Sequence, residues 1–168
     1  MRRFAASLAL LFGSTGLALH AQPSAPQKVA LQKRDTGTFY LDGAIEGFGE
    51  MEMLVDTGSS YLVIGEPVLE KLKAAGKAKF SRKLSGKMAD GQAKVVPLYR
   101  ISSLRLGESC WVRDVEAAVI PGQTRAIVGM NVLSRLAPFT FSAEPADLLL
   151  HQCQSDGVLA ADEGATKP

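Results

Sequence analysis

Histidine and cysteine are scarce in this chain of 168 residues: there are two of each. His20 lies in the first 21 residues, which leaves His151 as the other. A structural zinc site needs four His or Cys ligands, and no CxxC pair is present, so a His/Cys zinc centre is excluded and no metal is expected. A Ser-His-Asp hydrolase would depend on His151 with Ser59 or Ser60, and the Gly-x-Ser-x-Gly elbow is missing. Charge of one sign is lacking too. The net charge is +2, from 19 basic and 17 acidic residues, and Arg2 and Arg3 supply that excess. Without them the chain carries no basic field for nucleic acid, so no nucleic-acid partner is expected. No motif for an organic cofactor stands out, and none is expected.

The first 21 residues read as a secretory signal. Arg2 and Arg3 give a positive start, Phe4 to Leu19 is apolar and rich in small residues, and Leu19-His20-Ala21 offers a cleavage site. The run is short for a membrane span and is interrupted by Gly13, Ser14, Thr15 and Gly16. An uncleaved N-terminal anchor is the alternative. The reading is an exported protein, periplasmic or secreted, cut near Ala21, with no stable membrane anchor. In that setting Cys110 and Cys153 are permitted a disulfide, and are equally compatible with two separate buried thiols.

Residues 22–37 read as a flexible arm, with Val29 and Leu31 able to join a sheet edge. Thr38 to Ile45 alternates as a strand, and Glu46-Gly47-Phe48-Gly49 is a turn. Glu50 to Val55 sets Glu50 and Glu52 against Met51, Met53 and Val55, a half-buried strand. This hairpin delivers Asp56. Tyr61 to Ile64 is a short strand, and a helix follows from Pro67, with a stripe of Val68, Leu69 and Leu72 and a stop at Gly76. Residues 77–87 are basic and polar, with Phe80 and Leu84 as anchors. Ala89-Asp90-Gly91-Gln92 signals a hairpin, and Pro97 makes the next strand an edge or a projecting ribbon. Strands follow at Leu104 to Leu106 and Cys110 to Val119, where Asp114 and Glu116 read as a solvated face. Ala126-Ile127-Val128-Gly129 is a second apolar run ending in glycine. Met130 to Leu136 has helical spacing, and Phe139 to Phe141 and Leu148 to His151 close the domain. Residues 154–168 read as a disordered tail. About eight short strands and two short helices make a mainly β, single domain over 38–153.

Asp56-Thr57-Gly58 is the feature that needs chemistry. A carboxylate at the end of an apolar strand is costly unless it is paired, hydrogen-bonded or protonated. The tripeptide alone is a weak signal. It comes here with a preceding hairpin, with Ser59-Ser60, with an Asp-Gly hairpin downstream and with Ile127-Val128-Gly129-Met130-Asn131-Val132-Leu133. In that order the sequence resembles the retropepsin-like aspartic proteases, the bacterial single-domain members above all, over residues 38 to about 151.

The resemblance implies a closed β-barrel with two short helices and a flap hairpin. It implies an aspartic endopeptidase that needs two carboxylates. One chain supplies one Asp-Thr-Gly, so a homodimer with Asp56 on its two-fold axis is expected, acting on peptide or protein substrates. Asp56 would be the catalytic acid and base. Thr57 would brace the pair, and Gly58 and Gly129 would allow close backbone approach. Gly58, Ser59 and Ser60 would bind substrate, with Met88, Ala89, Asp90 and Gly91 at the flap tip. A non-catalytic peptide-binding module on the same fold is the alternative function.

Overall fold

The computed structural model describes residues 25–35, 37–87 and 91–154. The signal reading, the flap-tip residues Met88, Ala89 and Asp90, and the tail beyond Gln154 lie outside the described residues.

The strands are Gln27–Ala30 (β1), Gln32–Lys33 (β2), Phe39–Ile45 (β3), Gly49–Val55 (β4), Leu62–Gly65 (β5), Ala78–Lys87 (β6) and Ala93–Leu106 (β7). Cys110–Ile120 (β8), Ala126–Val128 (β9), Phe139–Ala143 (β10) and Ala146–Leu150 (β11) complete them. Two helices, Glu66–Ala74 (α1) and Met130–Leu133 (α2), interrupt the series, and a 3-10 turn over Ser134–Leu136 extends the second.

Strand order in the larger sheet is β2-β3-β4-β9-β5-β8-β7-β6, and β3 also pairs with β7. That extra pairing closes β3, β4, β9, β5, β8 and β7 into a six-stranded barrel. Closure leaves no open edge in the ring. Its interior is filled by Leu41, Ile45, Met53, Leu62, Ile64, Leu104 and Leu106, all fully buried. The apolar members of the alternating runs are the ones that point inward, as a two-residue period requires.

The segment expected as a flexible arm carries β1 and β2. β1 pairs with β11, and Val29 and Leu31 are buried against the main core. The smaller sheet, β1-β11-β10, thus ties the two ends of the domain together. Cys110 and Cys153 form a disulfide across 43 residues, beside an isolated bridge between Trp111 and Gln154. Closing a loop of that length restricts the unfolded chain. Reduction is therefore expected to lower stability by about 2–4 kcal/mol, read as a shift in the urea midpoint with and without dithiothreitol. An unmoved midpoint would contradict this.

Residues 78–87 form the outermost strand, where the sequence showed only a basic, polar stretch. β6 has a neighbour on one side alone. At this edge Phe80, expected as an anchor, is 56% exposed and makes an edge-on contact with Tyr99.

Glu46 clips the β3–β4 turn to two other elements. Its carboxylate meets Lys77 Nζ at 2.5 Å and accepts a hydrogen bond from Ser103 Oγ at 2.6 Å. Lys77 first, then Ser103, holds the Glu46 carboxyl below the usual carboxylate range. A lowered folded-state pKa favours the charged form in the fold. The contribution is thus present above the unfolded value and is lost as pH falls through the folded one. Stability is expected to drop below about pH 4, and Glu46→Gln to flatten part of that drop in pH-dependent urea unfolding. Equal acid sensitivity in the variant would remove Glu46 from the account.

Candidate active site

Asp56 stands where β4 runs out. β4 lies parallel to β9, with Val55 opposite Val128, and β9 also pairs antiparallel with β5 at Val63 and Ile127. β9 is therefore wedged between the two strands that flank Asp56. The connection from β4 to β5, residues 56–61, must pass over the end of β9.

Backbone bonds fix that passage. Asp56 N–H donates to the Val128 carbonyl at 3.1 Å. Met130 N–H donates to the Ser59 carbonyl at 2.8 Å, and Asn131 N–H to that of Ser60 at 3.1 Å. Asn131 adds both ends of its amide. Its Oδ1 accepts from Leu62 N–H at 2.7 Å, and its Nδ2 donates to the Glu116 carbonyl at 2.7 Å. Gly129 lies beneath the loop. A Cβ there would stand 2.3 Å from the Tyr61 carbonyl oxygen and 2.7 Å from that of Ser59, inside any tolerated contact. Only glycine lets the two passages approach so closely.

The Asp56 side chain is half-buried. Gly58 N–H donates to its Oδ1 at 2.8 Å, and Ser59 N–H donates to its main-chain carbonyl at 3.2 Å. These two bonds turn the chain back at Thr57-Gly58 and aim the carboxylate outward. Among the described residues, no hydrogen-bond partner meets Oδ2. The carboxylate is held by one oxygen and presents the other.

It faces a groove of about 470 Å³. Val63, Ala118, Ile120 and Ile127 make an apolar floor, and Leu84 and Val96 of the β6–β7 hairpin make one wall. Gly58, Ser59, Ser60 and Tyr61 form the rim. Among the described lining residues Asp56 is the one carboxylate. A larger depression of about 610 Å³ lies between β1 and the β7–β8 turn. Its Arg105 is already bonded to Glu50 and to the Gly107 carbonyl, and Asp42 accepts from Gln32. The smaller groove is the one at which a carboxylate oxygen is presented.

The residues expected from the sequence separate into groups. Asp56, Gly58, Ser59 and Ser60 meet at the groove. Ser59 Oγ is spent locally, donating to the Tyr61 carbonyl at 2.8 Å. Thr57 is exposed beside the groove, and Gly129 supports from behind. Gly91 sits in the hairpin turn at a φ of 81°, away from the lining. Among the described residues the Cys110–Cys153 bridge and His151 do not line the groove, so no described histidine stands beside Ser59 and Ser60 there.

Glu116 departs from the expected solvated face. Its side chain is 22% exposed, and it accepts hydrogen bonds from Ser81 Oγ at 2.7 Å and from Arg82 Nη2 at 2.8 Å. Ser81 first, and then Arg82, hold its carboxyl below the usual range. Strand alternation placed it opposite the core and carried no signal of partners two strands away. Asp114 does face solvent, but at a φ of 54° it breaks the regular strand.

The sequence pattern of the family described as "gag-polyprotein putative aspartyl protease" matches residues 41–135. That span holds the Asp56 loop, the groove-wall hairpin and the Gly129 turn. A solved structure, a retropepsin-like aspartic protease from Rickettsia conorii, superposes with a TM-score of 0.56 at 20% identity. The match covers 78% of this chain and 96% of that one. No curated protein matches. At that identity the likeness speaks for the fold, which is retropepsin-like.

Proposed function

The chain belongs to the gag-polyprotein aspartyl protease family, and from that premise we propose that it is an aspartic endopeptidase whose active site is completed by a second copy of itself. The family and the fold indicate an aspartic protease. The observation that carries the finer reading is the Asp56 carboxylate, held by Gly58 N–H and presenting Oδ2 to an apolar groove. One carboxylate is half of what the reaction needs. The exposed Thr57-Gly58 turn leaves room for a symmetry-related turn to approach.

The established chemistry of aspartic proteases then applies. Two carboxylates in contact cannot both ionise, so the pair shares one proton and holds a base and an acid together. One Asp56 takes a proton from the attacking water as that water adds to the scissile carbonyl. The other donates to the carbonyl oxygen and stabilises the tetrahedral intermediate. The apolar floor would receive side chains of an extended peptide and would exclude water from the reacting centre.

Activity is expected to peak on the acid side of neutrality, because the pair must keep its shared proton. A peptide-library assay between about pH 3 and 7 on the dimer tests this. No cleavage anywhere in that range would defeat the enzyme reading. The single carboxylate among the described lining residues also fits a peptide-binding module that never pairs. A strict monomer that retains bound peptide in sedimentation would favour that alternative.

We also propose that the protein works outside the cytoplasm. The apolar start behind Arg2 and Arg3 supports this, as does the Cys110–Cys153 bridge, which persists in oxidising compartments.

A further inference from the structure

Successive residues of a regular strand point to opposite faces. Ser81 and Arg82 do not. Both reach one carboxylate, that of Glu116, with the Ser81 hydroxyl on Oε1 and the Arg82 guanidinium on Oε2. The reason is a one-residue register shift between Phe80 and Arg82 in the β6–β7 ladder, a β-bulge with Ser81 as its extra residue. Bulges bend a strand and re-aim its side chains.

The place of the bulge matters. β7 pairs with β8 up to Leu98 opposite Ala118, and Leu98 also lies opposite Arg82 on β6. From Pro97 opposite Lys83 outward, β6 and β7 pair only with each other. The bulge thus marks the point where the hairpin leaves the barrel. Leu84 and Val96, opposite one another just beyond it, are the groove wall.

Through Arg82, Glu116 is also linked to the other side of the groove. The Arg82 Nη2 that it holds donates to the Tyr61 hydroxyl at 3.1 Å, and Tyr61 lines the rim next to Ser60. The Glu116 carbonyl, through Asn131, steadies the start of β5. One residue on β8 therefore binds the hairpin root and the Asp56 loop together.

We propose that Glu116 is a positioning residue for the groove: through Ser81 and Arg82 it sets the angle at which the hairpin leaves the barrel, and through Arg82 it fixes Tyr61 at the rim. It touches no substrate. Its kinetic consequence rests on the groove being the peptide site; its structural consequence does not.

The test is amide hydrogen exchange on the purified protein, with Glu116→Ala compared to wild type. The expected result is about tenfold faster exchange at residues 83–87 and 93–96, with β5 and β8 unchanged. Arg82→Met, which leaves the carboxylate in place, should give the same local pattern. Glu116→Gln, which keeps an acceptor for Ser81, should give a smaller rise. In peptide cleavage, Glu116→Ala should raise KM about tenfold with kcat within about threefold. Unchanged exchange in the hairpin, or a rise spread evenly over β5 and β8, would overturn the proposal. A wild-type protein without peptidase activity would refute the proteolytic reading, and the exchange pattern would still decide the role of Glu116.

Discussion

On the proposed mechanism, Asp56→Asn is expected to lower peptidase activity by about 10²–10⁴-fold or more with the fold retained. Asn is nearly the same size as Asp, and its amide oxygen can still accept the bond from Gly58 N–H at Oδ1. Loop geometry is thus retained. What disappears is the proton. An amide neither takes a proton from water nor gives one to a carbonyl, and a pair of amides has no shared proton at all. The loss should fall on kcat, because the apolar floor and the hairpin wall that would bind the peptide are untouched. Steady-state kinetics with circular dichroism and sedimentation on the same sample check this. Retained activity would move the chemistry away from Asp56.

Gly129→Ala is the second large effect, and it acts on the fold. The added methyl would sit 2.3 Å from the Tyr61 carbonyl and 2.7 Å from that of Ser59. Both are backbone atoms, so no side chain can swing aside. The loop has to lift, which breaks the bonds from Met130 N–H to Ser59 and from Asn131 N–H to Ser60. Overpacking and two lost backbone bonds together cost about 3–5 kcal/mol. The same loop carries Asp56, so any protein that still folds should have lost most of its activity. Urea unfolding of the variant measures the first part. A destabilisation under about 1 kcal/mol would show that the two passages are looser than described.

Much of this site was legible in the sequence because its parts are local. Asp56-Thr57-Gly58 follows an alternating strand, and Gly129 follows an apolar run. Each can be read from neighbours in the chain. The hairpin with Pro97 was legible for a similar reason, since a proline excludes a central ladder position. β6 was not, because an edge strand paired on one side needs little apolar alternation, and the bulge at Ser81 breaks the period that Ala78 and Phe80 begin. Glu116 was not legible either. Its partners Ser81 and Arg82 come to it through a bulge, and a register shift leaves no mark in composition or period. The burial of Val29 in β1 depends on pairing with Leu148 across almost the whole domain, a contact that a short arm sequence cannot announce.

The central claim is that two copies of Asp56 make one active site, and mixing tests it most directly. Wild-type protein is exchanged with inactive Asp56→Asn protein at constant total concentration, and cleavage is followed against the wild-type fraction. If both carboxylates are required, activity follows the square of that fraction, falling to about one quarter at an equal mixture. A linear fall, to about one half, would mean that each chain acts alone and would contradict the shared site.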